Sequence, residues 1–424
     1  MSGWSESEAE AWLASLEPLG IRFGLERIRR LVTALGMPQH RFASIHVVGT
    51  NGKSSVTEMT SALLEAHGRR AGAYLSPHVS RWSERVRVGG DEIQPARFAA
   101  SVERVAQSVE VVNRALEGEE SITQFEAATA AAFVALASAG VEVGVIEAGL
   151  GGRLDATNVI PSLATALTSV GLEHTEWLGD TEEEIAAEKL AVLRDHTTLV
   201  VGRVSAGVRD LAARVAAKRS ARLVEAGDLP GEVRLAIPGP YARRDFAVAM
   251  AASEAVLGGL DLERVCAVAA ALELPGRMQI VPGQPPLILD AAHNPDGARA
   301  LAEALPEAVG DSPVVACLAL LADKDSVGVL DALASRIELV VCTEITAERL
   351  SRSARPGARA LPVESLAGAA RDAGLEAEAV SQPRAAVRRA LDEAVARGGV
   401  ALVCGSHYLL GDAWTERHDP SSSR

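Results

Sequence analysis

The sequence predicts an α/β protein with two domains. The first is a P-loop nucleotide-binding domain with a mainly parallel sheet, and the second is a smaller, Rossmann-like α/β C-terminal domain. Short apolar runs alternate with amphipathic stretches along most of the 424 residues, which is typical of parallel sheets covered by helices. A glycine turn joins the first strong apolar run to a helix-like stretch, and a Pro- and Gly-rich segment later interrupts the alternation.

The composition limits the class of protein. The chain is 48% hydrophobic and 23% charged, which suits a soluble globular protein with two or three sizeable cores. No apolar run approaches the roughly 20 residues that span a bilayer. The first residues, MSGWSESEAEAWL, are acidic and lack the basic and apolar regions of a secretory signal. We therefore expect a cytoplasmic protein that does not act at a membrane.

The net charge of −14 argues against a general partner of nucleic acid or of anionic membranes. An anionic small molecule would need a local concentration of basic groups, and Arg81, Arg85 and Arg87 form one. The four cysteines are scattered and lack metal-ligand spacing, so buried, reduced thiols are expected.

The apolar runs and the stretches between them predict the elements of the first domain. The predicted strands are SIHVVG, RAGAYLS, VEVGVIEAG, LATALTSVG and TTLVVGR. The predicted helices are SSVTEMTSALLEAHG, PARFAASVERVAQSVEVVNRAL, FEAATAAAFVALASAG and TEEEIAAEKLAVLR. The last of these begins with Thr181 and has Glu184 three residues on, a capping box that places a helix start there.

The Pro- and Gly-rich segment LELPGRMQIVPGQPPL predicts a hinge, with a pivot near Leu274 to Gly276. We therefore expect domains of residues 1–273 and 274–424. Beyond the hinge the alternation resumes and continues to a final strand, GVALVCGSHYLLG. The tail, residues 414–424, is predicted to be disordered.

The stretch HVVGTNGKSSVTEM, residues 46–59, has the order strand, glycine turn, helix. Backbone N–H groups at the helix start make an anion site, and Lys53 adds a positive charge for terminal phosphates. The hydroxyl of Ser54 or Ser55 lies where it can meet a metal-bound phosphate. Val47 occupies the position of the first glycine in the common P-loop spacing, so a purely structural turn stays an alternative.

Polar residues also follow other predicted strands. In sheets of this kind ligands bind at the carboxyl ends of the strands, and Ser76, Glu147 and His174 all stand at such ends. Together they predict a Mg²⁺ site, although each alone could be structural and histidine is an unusual magnesium ligand. The glycine-rich loop EAGLGGRLDATN presents Arg153 and Asp155, either in a simple turn or towards a ligand.

These motifs together resemble one family. The chain resembles bacterial folylpolyglutamate synthase/dihydrofolate synthase, in the superfamily of Mur peptidoglycan ligases. The resemblance runs nearly end to end, and GLGGRLDATN and SPHVSRWSERV point to the folate branch. The other matching motifs are GIRFGLERI, HVVGTNGKSS, ITQFEAATAAAF, TSVGLEHTEWLGDTEEEIAAEKLAV, LPGRMQ, LDAAHNPDGARAL, LADKD and CGSHYLLGD.

The resemblance assigns roles residue by residue. It implies an ATP site formed by Gly49, Thr50, Asn51, Gly52, Lys53, Ser54, Ser55, Arg277 and Asp290. It implies catalytic roles for Lys53, His174, Lys189, Asp290 and His293, with Asn294 in the same motif. It implies metal ligands at Ser76, Glu147 and His174, and a pterin site at Thr123, Phe125 and Asp155. Arg81, from the basic stretch, is a further candidate for substrate binding.

The cofactors that the resemblance implies are ATP and Mg²⁺ at two sites, with room for a monovalent cation. Lys189 matches a lysine that the family carries as a carbamate, whereas by sequence alone it is an ordinary helix lysine. Ser54 stands where the family often has glycine, and Tyr241 and Asp245 depart from the family pattern. The contacts to adenine and ribose therefore stay open.

The predicted function is ATP-dependent ligation of L-glutamate to dihydropteroate, to reduced folates or to both, through an acyl phosphate, by a monomeric enzyme. The retained Thr123, Phe125 and Asp155 favour both activities. One alternative is a Mur-type ligase that acts on a different carboxylate. Another, from a different class, is a P-loop switch that binds ATP without acceptor-dependent phosphate release.

Overall fold

The computed structural model describes residues 3–16, 22–78, 81–116, 120–351 and 357–418. The chain divides into two compact units. The first consists of Met1–Arg234 and Arg243–Ala271, and the second of Leu235–Ala242 and Leu272–Arg424. The sequence placed a single boundary after residue 273, and no single boundary can assign the segment Leu235–Ala242 to the second unit.

The strands of the first unit are β1 (Ala43–Val48), β2 (Ala71–Tyr74), β3 (Val86–Val88), β4 (Asp91–Glu92), β5 (Val143–Glu147), β6 (Ala164–Leu167), β7 (Thr198–Val201) and β8 (Arg222–Glu225). Within the described residues they form one sheet in the order β4-β3-β2-β5-β1-β6-β7-β8. The six strands from β2 to β8 in that order are parallel, and β3 and β4 add an antiparallel edge. The mainly parallel sheet that the sequence predicted is confirmed.

The helices that begin before residue 272 are α1 (Glu6–Ser15), α2 (Glu26–Ala34), α3 (Lys53–Ala66), α4 (Pro95–Ala115), α5 (Gln124–Ser138), α6 (Thr175–Leu178), α7 (Glu182–Leu190), α8 (Ala206–Lys218), α9 (Pro240–Leu257) and α10 (Leu262–Ala271). Thr181 caps α7, and its side chain and that of Glu184 complete the predicted capping box. None of the helices within the described ranges is long and apolar enough to cross a membrane.

The strand β1 lies between two other parallel strands, and this position brings three loops together. β1 pairs with β5 on one side and with β6 on the other, so it lies in the middle of the sheet. Five of its six residues are buried, as is the whole of β5, which is typical of parallel strands covered on both faces. The loops that leave the carboxyl ends of these three strands therefore start side by side.

The second unit contains β9 (Gln279–Val281), β10 (Leu287–Leu289), β11 (Val314–Leu318), β12 (Leu339–Cys342), β13 (Glu376–Ala379) and β14 (Val400–Cys404). Its helices after Leu272 are α11 (Pro295–Val309), α12 (Ser326–Leu333), α13 (Ala347–Ser351), α14 (Val363–Asp372), α15 (Pro383–Ala396) and α16 (His407–His418). Within the described residues the sheet order is β13-β12-β11-β14-β10-β9, parallel except for β9. This is the smaller α/β domain that the sequence predicted.

Two predictions for the second unit need correction. The segment predicted as a hinge contains β9, whose residues pair antiparallel with β10, so part of it belongs to the sheet. The tail predicted to be disordered from residue 414 is helical to His418, because Glu416 is buried and accepts two hydrogen bonds from Arg388 of α15. Residues 419–424 lie outside the described part of the chain.

Candidate active site

The phosphate loop, residues 49–52, connects β1 to the first turn of α3. A Cβ built on Gly49 would overlap the hydroxyl of Thr168, so only glycine fits there. Gly52, at the N-cap of α3, has φ +82°, a conformation that glycine adopts without strain. Val47 is a buried residue of β1, so the turn begins two residues after it.

The segment that follows β6 holds this loop in place. The Thr50 N–H donates to the carbonyl of Ser169 at 2.8 Å, and the Asn51 N–H donates to the Ser169 hydroxyl at 3.0 Å. The Thr168 hydroxyl donates to the Asn51 carbonyl at 2.6 Å. The loop is therefore tied to a neighbouring strand end at both of its central residues, which fixes the direction of its backbone.

Two lysines converge on one carbonyl of the phosphate loop. Lys53 Nζ donates to the carbonyls of Gly49 and Thr50 at 3.1 and 2.9 Å. Lys189 Nζ, from α7, donates to the same Gly49 carbonyl at 2.8 Å. Burial, and then the nearby charge of Lys53, lower the pKa of Lys189 to about 7. Periodicity and spacing gave no sign of this buried amine, and only the family resemblance singled it out.

Glu147, at the end of β5, contacts the first turn of α3. The Ser54 hydroxyl donates to Glu147 Oε1 at 3.0 Å, and the Ser76 N–H donates to Oε2 at 3.0 Å. The Ser55 hydroxyl is buried and has no hydrogen-bond partner among the described residues. Of the two candidate hydroxyls, Ser54 is therefore the one joined to the carboxylate at the strand end.

The donors gathered here fit a magnesium ion. A buried carboxylate beside a serine hydroxyl at a helix start offers the hard oxygen ligands that Mg²⁺ prefers. No group of three or more His, Cys, Asp and Glu side chains that could hold a metal occurs within the described ranges. Few protein ligands are expected for Mg²⁺, since it usually retains waters and binds substrate phosphates.

His174 lies just before α6, in the left-handed conformation with φ 54°. Its side chain is 26% exposed, and Nε2 is 3.9 Å from Glu173 Oε1. The loop from β6 thus places it near an acidic neighbour, and its role as a metal ligand stays a prediction.

Asp155 and Phe125 meet at Gly149, the first glycine after β5. A Cβ on Gly149 would overlap the Phe125 ring and come within 3.0 Å of Asp155 Oδ2. Asp155 is buried, which raises its pKa, and it accepts hydrogen bonds from the N–H groups of Leu150 and Thr157. The glycine-rich loop therefore brings an aromatic ring and a carboxylate together.

The other two substrate candidates have structural partners. The Thr123 side chain caps α5 in a capping box with Glu126. Arg81 forms a surface ion pair with Glu92 at 3.0 Å, and the buried arginine of the same stretch is Arg85, which lies over the Trp82 ring. The roles of Thr123 and Arg81 in binding stay predictions.

The candidate residues of the second unit form a separate cluster. Asp290, at the end of β10, is buried, which raises its pKa, and it accepts hydrogen bonds from the N–H groups of Met278 and Ala292. The Tyr241 hydroxyl lies 3.4 Å from the same carboxylate. Asp290 thus fixes the segment that carries Arg277 and the one that leads to His293.

His407 was not selected from the sequence, although it stands in the quoted motif CGSHYLLGD. Its ring lies 6.2 Å from that of His293, and its Nε2 lies 3.5 Å from Arg277 Nη2. Asn294 caps α11 through a hydrogen bond from the Gly297 N–H. A lone histidine after a strand carried no signal, because its partners lie more than a hundred residues away in sequence.

Comparisons with known proteins agree with this architecture. Residues 276–407 match the family model for the Mur ligase, glutamate ligase domain, which defines the class of the second unit. A dihydrofolate synthase/folylpolyglutamate synthase of Escherichia coli is 32% identical over 430 residues, covering 95% of this chain and 94% of that protein. The chain belongs to the dihydrofolate synthase/folylpolyglutamate synthase family and is an ATP-dependent ligase.

Solved structures support the same assignment. The structure of a Mycobacterium tuberculosis folylpolyglutamate synthase complexed with ADP and AMPPCP aligns with a TM-score of 0.88 at 31% identity, over 98% of this chain and all of that one. A bifunctional folylpolyglutamate synthase/dihydrofolate synthase with Mn, AMPPNP and L-glutamate bound aligns with a TM-score of 0.81 at 31% identity, over 98% of each chain.

Proposed function

We propose that this enzyme uses ATP to join L-glutamate to the carboxylates of dihydropteroate and of reduced folates. The observation that carries the proposal is the arrangement at the ends of β1 and β5, where Val47 pairs with Glu147. The phosphate loop leaves one of these strands, and the loop with Gly149 and Asp155 leaves the other. The nucleotides and L-glutamate bound in the related structures support the same substrates.

The chemistry follows from the reactivity of a carboxylate, which is a poor acyl donor at neutral pH. Transfer of the γ-phosphoryl group of ATP makes an acyl phosphate, and the glutamate amine then displaces phosphate to form the amide. Lys53 and the N–H groups at the start of α3 would hold the transferred phosphoryl group. Lys189 and Glu147 are buried, so water is excluded from the Lys189 amine and the Glu147 carboxylate.

Glu147 and the hydroxyls of Ser54 and Ser76 would hold Mg²⁺, with His174 as a further ligand. A bound Mg²⁺ would offset negative charge on the phosphates. A divalent metal is supported by the manganese in the related structure, and the second metal site and a monovalent cation are parts of the proposal.

Lys189 would carry a carbamate. The neutral amine attacks CO₂, a nitrogen–carbon bond forms and a proton leaves, so the reaction needs a deprotonated lysine. Burial lowers the pKa of Lys189 to about 7, which makes the neutral amine abundant at neutral pH. Protein in ¹³C-bicarbonate should show a carbamate signal by NMR that Lys189→Met lacks, and the same signal in both proteins would rule out this site.

Asp155 and Phe125 would bind the pterin ring, the carboxylate accepting ring N–H groups and the phenyl ring stacking against the heterocycle. Their pairing at Gly149 supports action on both acceptors. The test is a side-by-side assay with ATP, Mg²⁺, glutamate and either dihydropteroate or tetrahydrofolate. A gain of one glutamyl unit on each is expected, and no gain on either would favour the ligase of a different carboxylate.

The protein is proposed to act as a cytoplasmic monomer, as the family resemblance implies. Light scattering after size-exclusion chromatography should give a mass near the 44.2 kDa of one chain, and a value twice as large would contradict it.

A further inference from the structure

The orientation of the Asp155 carboxylate depends on a neighbour two residues along the chain. Asp155 Oδ1 accepts hydrogen bonds from both the N–H and the hydroxyl of Thr157. Oδ2 accepts the N–H of Leu150 at 2.8 Å. Each carboxylate oxygen is therefore fixed by its own donors, and Thr157 supplies both of those named for Oδ1.

The Thr157 hydroxyl is in turn fixed by His46. It has a single proton, which it donates to Asp155, so it must accept from the His46 Nε2 that lies 2.8 Å away. His46 is fully buried in β1, and burial lowers its pKa to about 3, so the ring is neutral. These contacts define the tautomer, with the proton on Nε2. His46 therefore donates a hydrogen bond to Thr157, and Thr157 donates one to Asp155.

The other side of the ring shows what position 46 provides. His46 Nδ1 is buried and has no hydrogen-bond partner within the described residues. On the adjacent strand β6, Thr165 pairs with His46 and its buried hydroxyl has no partner either. Burying Nδ1 without a partner is unfavourable, and an apolar side chain at position 46 would avoid that cost. The hydrogen bond from Nε2 to Thr157 is therefore what histidine provides here and an apolar residue would not.

We propose that His46 and Thr157 are positioning residues, which orient the Asp155 carboxylate towards the N–H groups of the pterin ring. The inference rests on the proposed function, since it takes Asp155 as a substrate-binding group. It also ties substrate recognition to β1, the strand from which the phosphate loop starts.

The test compares substitutions along this chain of hydrogen bonds. His46→Leu and Thr157→Val remove a donor or a hydroxyl at nearly constant volume. Each should raise KM for dihydropteroate about tenfold, the effect of losing about one hydrogen bond to a charged group, with KM for ATP nearly unchanged. Thr157→Ser and His46→Gln keep the donors and should restore KM to within about threefold of the wild type.

Thr165→Val is the matched control, because it removes a buried hydroxyl beside His46 that has no partner. It should leave KM for dihydropteroate unchanged. Equal increases in KM for Thr165→Val and Thr157→Val would show a general disturbance of the core and overturn the proposal. Thermal unfolding and ATP binding of every variant confirm that it is folded.

Asp155→Asn separates this inference from the proposed function. If Asp155→Asn raises KM for dihydropteroate but His46→Leu and Thr157→Val do not, the substrate assignment stands and the positioning role is wrong. If Asp155→Asn leaves that KM unchanged, the assignment of the pterin site fails and the positioning role falls with it. As a direct check, ¹⁵N NMR should show a proton on His46 Nε2, and one on Nδ1 would contradict the proposed direction.

Discussion

Glu147 shows how much of the site depends on one side chain. Its two oxygens join Ser54 at the start of α3 to the backbone of Ser76 after β2. The sequence could single it out, because a carboxylate at the end of an otherwise apolar strand is unusual. Its partners could not be read from the sequence, since they depend on which strands are neighbours.

Replacing Glu147 with Gln should lower kcat by about 100-fold or more, since a group that stabilises developing charge typically contributes that much. The Mg²⁺ concentration needed for half-maximal activity should rise, because an amide is a weaker ligand than a carboxylate. ADP release measured over a Mg²⁺ titration gives both values. Glu142→Gln, at the half-exposed residue just before β5, is the control and should behave as the wild type. Unchanged Mg²⁺ dependence in Glu147→Gln would exclude metal binding there.

Lys189 makes stability depend on pH. Its pKa is about 7 in the folded protein and about 10.4 in an unfolded chain. Between these values the unfolded chain binds the proton and the folded protein does not, so the free energy of unfolding rises with pH. In buffer free of CO₂, Lys189→Met should be more stable than the wild type near pH 6.

This advantage of Lys189→Met should shrink as the pH rises above about 7, because the wild-type amine is then already neutral when buried. Denaturant titrations at several pH values measure the difference. The exposed Lys218→Met, on α8, should follow the wild type throughout. Parallel stability curves for Lys189→Met and the wild type would contradict the lowered pKa.

At the scale of elements, the proposed function assigns nucleotide binding to the glycine turn at Gly49 and acceptor binding to the glycine turn at Gly149. A methyl group on Gly49 would overlap Thr168, and one on Gly149 would overlap Phe125. Overpacking of this kind typically costs about 1–3 kcal/mol, or about fivefold in affinity at the lower end of that range.

Gly49→Ala should therefore weaken ATP binding with little effect on pterin affinity, and Gly149→Ala should do the reverse. Calorimetric titration with each ligand measures both affinities. Gly227→Ala, where nothing lies within 4 Å of the added methyl group, should change neither. If both turn variants lost both ligands equally, the two turns would not be separate binding elements.

Local signals predicted elements well where they were strong. The capping box at Thr181 placed α7 correctly, and the apolar runs gave β1 and β5. The strand β9 was missed because its Pro and Gly neighbours are typical of a hinge, and its pairing with β10 is a tertiary contact. The helix α16 was missed, because the sequence assigned its start to the final strand and its polar last turns to a disordered tail. Its residue Glu416 has a partner in α15, which is a tertiary contact.

At the scale of the whole molecule, the assignment of residues 235–242 to the second unit can be tested directly. A Cβ on Gly239 would overlap that of Ala304 in α11, so Gly239→Ala should destabilise the second unit by about 1–3 kcal/mol. Hydrogen exchange should accelerate in α11 and β10 and stay unchanged in β1. Gly259→Ala, which has open space around it, is the control, and faster exchange confined to the first unit would contradict the assignment.

The division of α9 between the two units has a consequence for synthesis on the ribosome. Tyr241, near the start of this helix, contacts Asp290, which is 49 residues later in the chain. All eight strands of the first sheet are made before the helix begins. The first turn of α9 is therefore synthesised before the residue that it contacts. The first sheet can assemble during translation, whereas the contacts of residues 235–242 are completed only after β10 and α11 have emerged.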